Sequence, residues 1–134
     1  GVDIPYLALG WKDTYLTATP MERVVKMIES WWRSSMSAYD SLADKMKEQI
    51  LFIPFEDFVQ HTYPYLDSIG IFIGSDITRY TNRILRRENC PRTVLLSERD
   101  KKMDILKGNL SEEYMSIVHQ LAEEYMEWSD KFIV

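Results

Sequence analysis

The chain has 134 residues, 46% of them hydrophobic and 13% aromatic, which is enough for one domain with a real core and too apolar for a disordered chain. Its 21 acids against 16 bases leave a net charge of −5, which argues against non-specific nucleic-acid binding. A single cysteine, Cys90, excludes an internal disulfide, makes with two histidines a poor zinc inventory, and points to a reducing, cytoplasmic setting.

Residues 1–18 are apolar and aromatic without helical period, and Pro5 and Gly10 punctuate them. Residues 4–9 fit a short edge strand. Thr19-Pro20-Met21-Glu22 is a helix start: Thr19 suits the N-cap, Pro20 loses no hydrogen bond at the first helical position, and Glu22 completes a capping box. Apolar residues then recur at Met21, Val24, Val25, Ile28, Trp32, Met36, Tyr39, Ala43 and Met46, the spacing of one buried stripe. Trp32 lies on that stripe and Trp31 flanks it, so both read as packing residues. The pattern fits one long helix, or two with an interruption in the Ser-rich patch 34–37.

The helical rhythm stops at Gln49. Ile50-Leu51-Phe52-Ile53, closed by Pro54, reads as a buried strand of the kind covered by helices on both sides. Glu56 and Asp57 follow directly between Phe55 and Phe58. Two adjacent carboxylates split their pKa values and can act as an acid–base pair; at a helix start they equally serve to charge the first turn. Thr62-Tyr63-Pro64 opens the next helix and Gly74 is placed to stop it. Ser75-Asp76 is a cap for a further helix, with Ile77, Tyr80 and Ile84 on one side and Arg79, Arg83, Arg86 and Arg87 on the other. With Arg92 these arginines form a cluster suited to phosphate or sulfate groups, or a solvated helix face. Asn89-Cys90-Pro91 makes a turn, residues 93–96 read as extended, and Ser97 caps a helix ended by Lys107 and Gly108. Leu110 and Ser111 open the last helix, whose stripe is Tyr114, Val118, Leu121, Tyr125 and Trp128. His61 and His119 lack companions for a ligand set, so no metal is expected.

The fold class expected is therefore mainly α, a single domain of five or six helices with one or two short strands, residues 1–18 forming an irregular or edge segment before a helical region at 19–134. No run approaches the roughly 18 apolar residues of a membrane span, and the first residues show no basic-then-apolar signal-peptide pattern. Neither nucleic acid nor a membrane is an expected partner.

Residues 20–128 resemble the C-terminal half of the sulfotransferases. The resemblance rests on Ile28-Glu29-Ser30-Trp31-Trp32, then Ile50-Leu51-Phe52-Ile53-Pro54-Phe55-Glu56-Asp57-Phe58, then Ile71-Phe72-Ile73-Gly74, and finally Ile105-Leu106-Lys107-Gly108-Asn109-Leu110-Ser111-Glu112. It implies an α/β fold related to P-loop proteins and relatives that move a sulfuryl group from 3′-phosphoadenylyl sulfate to a hydroxyl or amine. It also implies that Lys107 and Gly108, with Arg79, Arg83 and Arg86, would contact the 3′-phosphate end of the nucleotide. The Lys- and Gly-rich phosphosulfate loop and the catalytic histidine of that family have no counterpart here, and Leu106 stands where its arginine would be. No catalytic residue is assigned, and the chain is expected to be inactive alone. Two expectations follow for partners: a homo-oligomer, or a missing N-terminal half. The rival expectation is a non-enzymatic helical interaction or oligomerisation module.

Overall fold

Among the residues described, 3–93 and 96–133 (backbone alone at 96 and 97), the computed structural model holds eight α-helices, two short 3-10 helices and no strand. The mainly α expectation is met; the short strands are not found. Residues 4–9, expected as an edge strand, instead enter a 3-10 helix at Tyr6–Trp11, followed by α1 at Lys12–Thr17. Pro5 sets this off: its carbonyl accepts from Ala8 N–H at 2.8 Å, and the Trp11 indole donates back to the Leu7 carbonyl at 2.9 Å. Ala8 is completely buried where this segment lies against the next helix.

That helix, α2, spans Pro20–Asp40. Its capping box is complete, with Glu22 N–H donating to Thr19 Oγ1 at 3.3 Å and Thr19 N–H donating to Glu22 Oε2 at 2.9 Å. The helix runs unbroken through the Ser-rich patch 34–37 and stops at Ser41, three residues before α3 at Asp44–Lys47. Serines on the exposed side of an otherwise anchored helix do not interrupt it, because packing outweighs their weak propensity.

The partner of α2 is α8, at Glu112–Ser129. Val25 packs with Leu110 and Tyr114 near the start of both helices, while Trp32 meets Tyr125 and Trp128 near the end of both, so α2 and α8 run parallel. The expected α8 stripe is buried or half-buried throughout. Ser111 is the N-cap residue, but its hydroxyl makes no capping bond within α8. It turns to Glu22, whose carboxyl is held below the usual range by the Thr19 backbone N–H first, then by the Thr19 and Ser111 hydroxyls and the Ser111 N–H.

Between α3 and α4 (Phe55–Gln60) runs the segment expected as a buried strand. Residues 51–54 have no regular structure, and Ile50 and Leu51 are 40% and 36% exposed. A strand exists only by pairing, and no other described segment lies beside it to complete a ladder. Helix α5, Thr62–Ile73, ends at Gly74 as expected. Gly74 takes φ 67°, its N–H donates to Ile71 O at 3.3 Å, and Ser75 N–H donates to Gly70 O at 2.9 Å, the paired bonds of a Schellman turn.

The next helix, α6, spans Thr81–Arg87 with Tyr80 as its N-cap, well after the Ser75-Asp76 cap expected, leaving Arg79 outside it. The turn expected at residues 89–91 is present, with Asn89 at φ 52° and a cis Cys90–Pro91 bond. Of the extended stretch expected at 93–96, residues 94 and 95 lie outside the described residues and Leu96 already belongs to α7, Leu96–Asn109. Gly108 does not end that helix. It sits inside the last turn and is not among the positive-φ residues.

Little of the chain is deeply buried. Its accessible surface is 10171 Å², against about 7,400 Å² for a compact monomer of 15.9 kDa by the usual scaling.

Candidate functional site: an aromatic groove and a carboxylate junction

The end of α2, the end of α8 and the free segment 51–54 build one aromatic cluster. Trp32 stands edge-on to Trp128 (ring centroids 5.7 Å apart, 85°) and to Tyr125 (6.2 Å, 65°). Phe52 sits among Tyr39, Trp128 and Phe132 at 4.9, 5.1 and 5.0 Å. Such edge-to-face pairs contribute beyond simple area burial. Above the cluster lies an apolar groove of about 500 Å³, lined by Ile28, Trp31, Trp32, Phe55, Leu121 and Tyr125 among others.

Trp31 is therefore not the packing residue expected: it is 61% exposed and forms a wall of this groove. Val24, Ile28, Ala43 and Met46 of the expected stripe are exposed as well. The sequence held part of this signal, because neighbours 100° apart on a helix cannot both face one partner. Nothing local marked Glu124, which gathers the Arg33 guanidinium at 2.5 Å, the Trp32 indole at 3.1 Å and the Gln120 amide at 3.0 Å at the groove's edge. Arg33, then Gln120 and Trp32, hold its carboxyl below the usual range.

Glu56 and Asp57 stand in the first turn of α4, and each receives a tyrosine hydroxyl. Tyr125 donates to Glu56 Oε2 at 2.5 Å, and Tyr65, which is almost fully buried, donates to Asp57 Oδ2 at 2.6 Å. Asp57 Oδ1 also meets His61 Nδ1 at 2.9 Å. The Tyr65 hydroxyl bond first, then His61, lowers the Asp57 pKa. Burial first, then the Glu56 bond, pushes Tyr125 up to about 12. Carboxylates engaged in this way join α4 to α5 and α8. Each carboxylate is engaged by a different tyrosine, and among the described residues no hydroxyl or thiol nucleophile bonds to His61. A second, mixed cleft of about 560 Å³ lies between α4, α7 and α8, with Glu56, Asp57, Arg99 and Lys102 on its walls. Tyr125 separates it from the groove.

The residues implied for the nucleotide come from α7, from α6 and from the turn before α6. Lys107 is exposed in the last turn of α7 with Asp104 4.0 Å away, and its neighbour Leu106 packs near the starts of α2 and α8. Arg79 stacks on Tyr80 (4.8 Å), while Arg83 and Arg86 lie on α6, which is tied to α5 by the bond from Tyr63 to Asn82. No hydrogen bond or ion pair among the described residues links Lys107 or Gly108 to any of these arginines. Lys107 thus stands on α7, and Arg83 and Arg86 on α6. Among the described residues, no group of three His, Cys, Asp or Glu side chains is placed to hold a metal, and no helix is long and apolar enough to cross a membrane.

The chain matches no protein-family profile, no curated protein and no solved structure.

Proposed function

We propose that the chain is a sulfotransferase-like helical unit that has no turnover of its own and works joined to another polypeptide surface. The observation that carries this reading is the free segment Leu51-Phe52-Ile53, whose backbone N–H and C=O groups bond to nothing among the described residues and which runs straight into the Glu56-Asp57 helix start. An apolar strand of a sheet covered by helices has this composition and this exit. Bare backbone groups beside half-buried apolar side chains are satisfied when a neighbouring strand is laid along them. The succession around the segment supports the reading: α2 carries Trp31-Trp32, α4 opens on Phe55-Glu56-Asp57, α5 ends at Gly74, and α8 carries Tyr125. Intact relatives would use 3′-phosphoadenylyl sulfate. Here the cations that would grip it come from two helices, α6 and α7, and a lone Cys90 suits the reducing cytoplasm.

Incubating the chain with labelled donor and a panel of hydroxyl and amine acceptors tests the first half of the proposal; transfer above the protein-free rate would overturn it. Light scattering tests the second, since a clean monomer at tens of micromolar and no partner strand taken up would refute association.

A second reading, a non-enzymatic helical interaction or oligomerisation module, is favoured by the open apolar groove and by the large excess of accessible surface, several times the roughly 800 Å² that one partner buries in a standard interface. Calorimetry with adenosine 3′,5′-bisphosphate separates the two. Weak heat at millimolar ligand, reduced in Lys107→Ala or Arg83→Ala, favours sulfotransferase descent, whereas self-association with no heat favours the module.

A further inference from the structure

We propose that residues 71–92 form a docking surface for the anionic headgroups of a membrane–water interface. This goes beyond the reading above and does not depend on it. Every residue from 71 to 80 is exposed, with Ile71 at 84%, Ile73 at 64% and Tyr80 at 52%; Phe72, Ile77 and Ile84 are exposed as well. The Schellman turn at Gly74 makes the cause visible: it ends α5 on three bulky apolar residues and sends the chain away from the helix axis. Ile71 and Ile77 line one shallow hollow of about 360 Å³, so the apolar residues before and after the turn share a surface.

Arginines follow this apolar tip along the chain. Residues 71–92 contain five arginines against Asp76 and Glu88, a formal +3 within a chain of net −5. On α6, Leu85 is the buried position, and the 100° step between residues turns Arg83 and Arg87 to the opposite face and Arg86 to a flank. The Arg83 and Arg86 side chains make no ion pair or hydrogen bond among the described residues, while Arg87 pairs with Glu88 and Arg92 lies over the Phe55 ring. Asp67 and Asp76 on the walls of the hollow offset only part of this charge.

Apolar residues that enter the headgroup boundary, beside cations that meet anionic lipid, are the two components of interfacial binding. A second copy fits this patch less well, because two-fold contact would set arginine against arginine. A free phosphate fits less well too: the α6 arginines stand exposed on one short helix and enclose no cage.

The test is co-sedimentation of the full chain with phosphatidylcholine vesicles with and without a third of phosphatidylserine, at low and at half-molar salt. The chain should pellet with the anionic vesicles, remain soluble with the neutral ones, and be released by salt. Arg83→Ala with Arg86→Ala should weaken binding roughly 30-fold, from about 1 kcal/mol per basic residue near an anionic surface. Ile71→Asp with Ile73→Asp should abolish it while leaving the circular dichroism unchanged, since both side chains are exposed. Equal binding to both vesicle types, or no binding to either, would overturn the proposal. So would binding that both double variants retain. Failure to pellet with self-association lost in the isoleucine variant would assign the tip to a protein partner. Failure to pellet with adenosine 3′,5′-bisphosphate binding lost in the arginine variant would assign it to a soluble phosphate. Either result rejects the lipid.

Discussion

Replacing Phe52 with alanine removes the ring on which the aromatic cluster closes. Phe52 is half-buried and touches Tyr39 of α2 and, at the chain's other end, Trp128 and Phe132. Removing a fully buried phenylalanine costs about 3–5 kcal/mol. Partial exposure lowers that figure, and the loss of three ring pairs, each about 0.5–1.5 kcal/mol beyond area, holds it up. The expected loss is about 3 kcal/mol. Urea unfolding followed by tryptophan fluorescence reads it directly, because Trp128 lies against the Phe52 ring. With a slope near 1.5 kcal/mol per molar, typical for small proteins, the midpoint should fall by about 2 M. Glu56→Gln serves as the control: the side chain is exposed and glutamine still accepts from Tyr125, so the loss should stay within about 0.5 kcal/mol. A Phe52→Ala loss below about 1 kcal/mol with an unchanged slope would refute the packing of segment 51–54 onto α2 and α8.

Gly70→Ala should destabilise more than its helical position suggests, because a Cβ there would lie 2.6 Å from the Ser75 carbonyl oxygen; Gly74→Ala should cost about 1–2 kcal/mol for the left-handed φ alone, and thermal melts rank the two. The lowered Asp57 pKa gives a contribution that is complete above the ordinary carboxylate value of 3.8 and fades as pH falls below it, so acid titration of Asp57→Asn should show a flatter stability profile there than the parent chain. The raised Tyr125 pKa works in the opposite sense: its contribution is complete below the ordinary phenol value of 10.0 and is lost as pH rises towards about 12. Ultraviolet titration should therefore show late-ionising tyrosines, since burial raises Tyr114 as well, and one of them should be absent from Tyr125→Phe.

The fold was legible in the sequence wherever the signal was local. Thr19 and Glu22 place the start of α2 because both capping bonds lie within four residues, and Gly74 places the end of α5 because only a left-handed φ makes that turn. The α8 stripe was legible for the same reason: five apolar side chains at helical spacing need one face to be covered. The carboxylate junction was half legible. Charge at the start of α4 was expected, but not that Tyr65 and Tyr125, from two other helices, would claim Asp57 and Glu56.

Where the outcome depended on a distant neighbour, only the tertiary structure decided it. An apolar run such as Ile50-Leu51-Phe52-Ile53 becomes a strand only with a partner, and the described residues set α2 and α8 beside it on one side and nothing in register along its backbone. Spacing along α6 could not show that Lys107 lies elsewhere, and a Trp-Trp pair could not say which ring would remain in solvent. Caps and stripes are settled within one or two helical turns. Pairing, grooves and converging charges are settled by which distant surfaces meet.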